Sequence, residues 1–372
     1  MSAFWKALSV FIGTIVGVGI FGLPWVAYKS GFFILLFYFL ILATVAIVVH
    51  LMLGDIILKT KGKHRFPGYV REYLGERWSK VSFFAICFGL FGAQLAYLLV
   101  GGVFLTNLLS PYLGGSFLIY VLIFFVLGSI LIYKGIKSIS LTEFLVLLFF
   151  FGLLIFFVFK AFPYIKIERL LESNLKLLFY PYGVVLFALW GAAILPEVKE
   201  ILKGNRKKLR KTIISGIIIS LFIYLIFTAI ILGACGSATS EDAVTGLGTR
   251  LGGGVARAGF IFGFITCFTS FLTLGLTLKK VFWYDMHLSE RASWAIAVFI
   301  PLILFLAGFR QFISIIGLTG AVAGGIEGFI IIFLYKAFLK EKFSKKMNPV
   351  YFLLSIFFTL GIVAEILYFV LK

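Results

Sequence analysis

The residues best placed to do chemistry are glycines and prolines where a membrane helix should carry neither. Gly13-Thr14-Ile15-Val16-Gly17-Val18-Gly19-Ile20-Phe21-Gly22-Leu23-Pro24 holds four glycines and a proline in twelve residues. Each Gly costs a helix about 1 kcal/mol relative to Ala, and Pro about 3 kcal/mol. In lipid, backbone groups freed by such a break need partners in protein or in a water-lined cavity. A discontinuous helix puts them to use. The N–H groups that begin one half face an anion, and the carbonyls that end the other face a cation. Close packing competes with this reading, because small residues also let helices approach. Gly13, Gly17 and Gly22 can serve that role.

A second segment separates the two readings. Gly191-Ala-Ala-Ile-Leu-Pro196 repeats the Gly-x-x-x-Leu-Pro of Gly19 to Pro24, 172 residues later. The second segment lies five helices later, with four between, so the two run in opposite directions. Matched Gly/Pro interruptions in antiparallel helices are what an inverted repeat of 5 + 5 helices predicts, with the solute site between the breaks. A zwitterionic amino acid fits such a site. Its carboxylate faces N–H groups around Gly17 to Gly19, and its ammonium faces carbonyls near Ile15 and Phe187 to Leu189.

Ionisable side chains inside a membrane are functional candidates by default. His50 titrates near neutral pH in its ordinary state, and Glu327 sits within Gly324-Gly-Ile-Glu-Gly328; both are candidates for carrying a coupling proton. Glu365 falls in the last helix, and Glu197 follows Pro196, where it can steady an inner gate against the basic 199–211 loop. There is no nucleophile–base pairing, metal spacing or phosphate loop, so no enzyme and no resident cofactor is expected. Cys87, Cys235 and Cys267 are scattered without disulfide or metal spacing.

These residues need a bundle to position them. The 372-residue chain is 62% apolar and 13% charged, too little polar surface for a soluble domain. Apolar runs near 20 residues, enough to cross roughly 30 Å of hydrocarbon, recur throughout. They place eleven helices at 8–28, 31–58, 81–108, 116–133, 141–162, 179–199, 212–234, 256–280, 292–308, 311–338 and 350–371. The chain is thus expected to be one all-α transmembrane domain. Its repeats are 1–162 and 179–340, with helix 350–371 appended. With the N-terminus inside, 25 Lys and Arg lie on the inner side and 9 on the outer. That excess orients the N-terminus to the cytoplasm and the C-terminus away from it, in the plasma (inner) membrane of a prokaryote. The net charge of +19 is therefore read as orientation and contact with anionic lipid, not as nucleic acid binding. Residues 63–78 mix aromatics and charges as a short interfacial helix does. Residues 240–254 form either a lid or a plain outer loop. The first segment is retained rather than cleaved as a signal peptide. Nothing fixes the oligomeric state, and a monomer suffices.

Three segments resemble the amino acid/auxin permease family, including bacterial hydroxy/aromatic amino acid permeases, within the amino acid-polyamine-organocation superfamily and its LeuT-type fold. They are Gly13 to Pro24, Gln94-Leu-Ala-Tyr97-Leu-Leu-Val-Gly101-Gly102, and Thr269-Ser-Phe-Leu-Thr-Leu-Gly-Leu276. The resemblance covers nearly the whole chain. It implies that Gly17 and Gly19, flanked by Thr14, Ile15 and Val18, cradle the carboxylate, with the Tyr97 hydroxyl reaching it. Phe187, Ala188, Leu189, Trp190 and Gly191 would then contact the ammonium and side chain. It also implies a sodium site from the carbonyls of Gly13, Val16 and Thr266 and the hydroxyls of Thr269 and Ser270. Related aromatic permeases are proton-coupled, so Na+ and H+ both remain open. The Lys that some proton-coupled relatives carry in the fifth helix is missing, as are the Asn and Arg of neurotransmitter symporters and the Asp-Pro-Gly-Asn of metal transporters.

Together these features imply a secondary permease for a neutral, large or aromatic amino acid, working by alternating access. A polyamine or nucleobase transporter on the same fold is one alternative. A polyamine would need a buried carboxylate at the breaks, and Glu327 is the one at hand. A non-transporting amino acid sensor is the other, although the chain has no soluble signalling domain.

Overall fold

The glycine-rich stretches end helices, as their composition requires. The computed structural model describes residues 2–62, 64–135, 139–344, 346 and 348–370, and among these the chain is a succession of helices with no strand. The expected first helix is two, α1 (Ala3–Ile15) and α2 (Gly19–Ser30), bent by 47° at Val16 to Val18. Then come α3 (Phe32–Lys59), α4 (Phe66–Leu74), α5 (Glu76–Leu113), α6 (Phe117–Lys134), α7 (Ile139–Ala161) and the single turn α8 (Glu168–Leu171). The expected sixth helix is also two, α9 (Pro181–Leu189) and α10 (Leu195–Ile201), separated by Trp190, Gly191 and a 3-10 turn at Ala192–Ile194. The remainder is α11 (Arg206–Cys235), α12 (Val244–Leu251), α13 (Gly253–Lys280), α14 (Glu290–Leu306), α15 (Phe312–Leu318), α16 (Gly325–Phe343) and α17 (Val350–Val370).

Among the described residues, eight stretches are long and apolar enough to span a membrane, and the bent α1–α2 pair makes a ninth. The α9–α10 pair, in short pieces, and the 17-residue α14 occupy the places of the other two expected spans without reaching that length and hydropathy. The third span is longer than 81–108. At 38 residues α5 extends about 57 Å, well beyond the hydrocarbon thickness, so tilt or protrusion is required. Residues 63–78 do contain a short helix, α4, with Phe66 to Val70 buried. The 240–254 stretch contains α12, whose start is tied down by Asp242, which accepts from the Thr245 N–H at 3.2 Å. Lys63, Lys137, Lys345 and Lys372, counted toward orientation, lie outside the described residues.

The two broken helices cross at their breaks. A Cβ on Gly19 would stand 3.1 Å from Ala188, and one on Gly191 would stand 2.9 Å from Ile15. Moving forward along the first helix is moving backward along the sixth, so they pair antiparallel, α2 on α9 and α1 on α10. Around this pair α5 packs along α13, joined by the Gln94 side-chain amide, which donates to the Phe271 carbonyl at 2.9 Å. Gly101 and Gly102 admit Phe124 and Val121 of α6 against the back of α5, so these two glycines serve packing. The outer surface is apolar: Phe84, Phe159 and Leu360 are more than half exposed, as residues facing lipid should be.

Candidate functional site

The break in the first helix leaves backbone donors without helical partners. The Gly17 N–H turns back to the Ile15 carbonyl at 2.8 Å. The outer half begins with Ile20 and Phe21 donating to Gly17 and Val18 at 3.4 and 3.1 Å. The N–H groups of Val18 and Gly19 therefore belong to the first turn of α2, ahead of any intrahelical acceptor, where a helix end favours negative charge.

A cavity of about 70 Å³ opens at this point. Thr14, Ile15, Gly17, Gly19, Tyr97, Phe187, Trp190 and Gly191 all line it. The structure thus brings together eight of the eleven residues expected to meet substrate. The other three lie behind the wall: Val18, Ala188 and Leu189 are buried, and Ala188 backs directly onto Gly19. Tyr97 reaches the break from α5, and its hydroxyl occupies the space that a Cβ on Gly17 would fill. The Thr14 hydroxyl donates to the Val10 carbonyl at 2.8 Å, an ordinary bond for a helical threonine that leaves its lone pairs toward the cavity.

The break in the sixth helix is held by side chains from its neighbours. The Gly191 N–H donates to His50 Nε2 at 3.0 Å, while His50 Nδ1 is 2.7 Å from the Ala46 carbonyl. A carbonyl only accepts, so Nδ1 carries the proton and Nε2 is bare; this bonding holds His50 neutral. Its ring is buried and outside the cavity wall. The Tyr224 hydroxyl of α11 lies 2.6 Å from the Ile15 carbonyl and 2.7 Å from the Ala188 carbonyl, so one proton is shared between the ends of both broken helices. Sequence reasoning passed over Tyr224, although the argument applied to Tyr97 fits it equally: a tyrosine in mid-membrane needs a polar partner.

The remaining wall comes from elements whose part was not foreseen. Gly89, Leu90 and Ala93 of α5, Leu274 of α13, and Thr319, Gly320, Ala323, Gly324 and Glu327 contribute to it. Between α15 and α16 the chain forms a π turn, Thr319–Gly324. One extra residue in a turn brings two turns to about eight residues, so Thr319 and Glu327 face one cavity. The glycines around Glu327 were the only sequence trace of this. Glu327 is 4% exposed, and its Oε2 accepts the Trp190 indole N–H at 2.9 Å. Among the described residues it is the one acidic or basic side chain in the wall.

A second, smaller cavity lies between the first helix and α13. Gly13, Val16, Thr266 and Thr269 line it, together with Val146, Leu147 and Phe150 of α7. The Ser270 hydroxyl donates to the Gly13 carbonyl at 3.3 Å, and that of Thr269 to the Thr266 carbonyl at 3.3 Å. The Thr266 hydroxyl is buried without a hydrogen-bond partner. All five residues expected around a cation are therefore adjacent.

At the start of α10, Glu197 pairs with Arg65 at 2.8 Å and with Lys280 at 3.1 Å. The expected partner was the 199–211 loop. The first turn of α10 instead faces the segment before α4 and the end of α13, while Lys199 donates to the Ile57 carbonyl at 2.7 Å.

Comparison with known proteins agrees with this geometry. The solved structure of MhsT in complex with L-phenylalanine superposes with a TM-score of 0.69 over 98% of this chain and 97% of that one, at 15% identity. The likeness establishes a shared LeuT-type fold. No curated protein sequence matches the chain significantly. A family model for the tryptophan/tyrosine permeases matches residues 1–369. A multi-pass membrane protein with two broken helices meeting at a central cavity, matched end to end by that model, is a permease and not an enzyme: the chain belongs to the tryptophan/tyrosine permease family.

Proposed function

We propose that this permease carries an aromatic amino acid as a zwitterion in the cavity between the two breaks. The observation that carries the reading is the convergence there of the unpartnered first turn of α2, the Tyr97 hydroxyl and an aromatic wall of Phe187 and Trp190. The carboxylate faces the Val18 and Gly19 N–H groups and Tyr97. The ammonium faces carbonyls at the ends of α1 and α9, near Ile15 and Phe187 to Leu189. MhsT was solved with L-phenylalanine, a ligand of this class.

Eleven crossings, an inside N-terminus, and repeats at 1–162 and 179–340 with 350–371 appended complete the proposal. The inner Arg65–Glu197–Lys280 cluster closes the cytoplasmic side. A coupling cation would be held by the carbonyls of Gly13, Val16 and Thr266 and the hydroxyls of Thr269 and Ser270, and would tie the first helix to α13. Proton coupling would fall instead to Glu327 or His50; the neutral, fully bonded state of His50 favours Glu327 of the two.

The test is a thermal-shift screen of the twenty amino acids with sodium and choline compared at two pH values, followed by counterflow uptake in proteoliposomes. The expected result is stabilisation by aromatic amino acids and exchange without a net gradient. Stabilisation by none overturns the substrate class, and binding without exchange makes the protein a sensor. Stabilisation that needs sodium assigns coupling to the five-oxygen site; stabilisation indifferent to sodium but dependent on pH assigns it to a proton.

A further inference from the structure

The main-chain end of the cavity has its polar groups in the two breaks and Tyr97. The far wall has few, the Thr319 hydroxyl and the Glu327 carboxyl. Gly89, Ala93, Leu274, Ala323 and Gly324 are small or apolar, and Glu327 stands among them. The Trp190 indole N–H pins Oε2. Oε1 has no hydrogen-bond partner among the described residues. It lies over Gly89, 3.6 Å from where a Cβ at that position would be, so the absence of a side chain at 89 keeps this oxygen clear. A buried carboxylate oxygen facing apolar walls is costly unless a donor meets it.

We propose that Glu327 is the specificity-determining residue of the site, its free oxygen accepting a hydrogen bond from an N–H or O–H on the substrate's aromatic side chain. The inference rests on the aromatic amino acid reading above and deepens it. The indole N–H of tryptophan and the phenol of tyrosine supply that donor; phenylalanine leaves the oxygen unmet. A site built around an acceptor discriminates strongly against an analogue lacking the donor, because the polar group is then stranded.

The experiment is calorimetric binding of a ligand series to the purified full-length protein and to Glu327→Gln. The series is tyrosine, O-methyltyrosine, tryptophan, 1-methyltryptophan and phenylalanine. In the wild type, each donor-bearing ligand is expected to bind at least about tenfold tighter than its methylated form and than phenylalanine. In Glu327→Gln the remaining carbonyl is taken by Trp190 and an amide N–H₂ faces the cavity. The ratio of tryptophan to 1-methyltryptophan should then fall to about threefold or less, because an N–H₂ cannot accept from the indole N–H. Equal binding of tyrosine, its ether and phenylalanine to the wild type overturns the proposal and leaves the aromatic permease intact. So does a ratio unchanged in the variant. Tighter binding of lysine or arginine than tyrosine also overturns it, since the carboxylate's partner would be a cation. If no aromatic ligand binds at all, the functional reading falls as well. Should the variant not fold, the wild-type ether series decides alone.

Discussion

The two breaks share a Gly-x-x-x-Leu-Pro sequence and differ in what completes them. At the first, the Val18 and Gly19 N–H groups stand at a helix start beside a cavity, with Tyr97 the nearest side-chain hydroxyl. At the second, the protein supplies the partners itself: His50 accepts from the Gly191 N–H, and Trp190 is anchored to Glu327. Tyr224 then clips the end of α1 to the end of α9. A matched motif therefore need not mean matched chemistry. The first break is left open at the cavity, and the second is a braced wall of it.

Substitutions at four positions test that contrast. The largest effect is expected from Gly17→Ala, because the added methyl overlaps the Tyr97 hydroxyl and displaces it from the open break. Binding of phenylalanine, measured by calorimetry, should weaken by roughly 100-fold, about 3 kcal/mol, with the fold retained. A change under about threefold would return Gly17 to packing. Tyr224→Phe comes next. It strips the shared donor from two buried carbonyls and should lower stability by about 1–3 kcal/mol, seen as a reduced thermal midpoint in detergent. An unchanged midpoint would mean that the clip contributes nothing. His50→Leu leaves the Gly191 N–H unmet and should cost about 1–2 kcal/mol, partly restored in His50→Gln, whose side-chain oxygen can accept. If Leu and Gln behave alike, the acceptor at 50 is irrelevant. The smallest effect is expected from Gly22→Ala. Its methyl would meet the end of Ile316 at 2.8 Å, a terminal atom that can rotate aside. Stability should fall by no more than about 1 kcal/mol, and binding should not change.

Much of this was legible in the sequence, for a physical reason. Gly and Pro inside an apolar run have few explanations, so the positions of both breaks could be read directly; lining residues such as Tyr97 came from the family resemblance. The five residues around the smaller cavity came from the family resemblance, carried over by position. What escaped was everything that depends on rotation about a helix axis. Tyr224 could not be aimed at the breaks without knowing which face of α11 meets them. The π turn at Thr319–Gly324 has no reliable sequence mark, so Glu327 could be flagged as an intramembrane carboxylate but not placed against Trp190. Glu197 was assigned the nearest basic loop in sequence, but its partners, Arg65 and Lys280, come from distant segments. Helix lengths also misled. A 38-residue α5 looks like a 28-residue span when only its apolar stretch is counted, since its ends are polar.

The central claim is that the open break at Val16 to Val18 receives a substrate carboxylate. The most direct measurement compares the affinity of L-phenylalanine with those of L-phenylalanine amide and phenethylamine, ligands with the same ring and no carboxylate. Binding weakened by about 100-fold or more in both is the predicted result, as expected for losing charge-assisted bonds to backbone N–H groups and a tyrosine hydroxyl. Amide binding within about threefold of phenylalanine would contradict the account and leave the glycines of the first helix with packing alone.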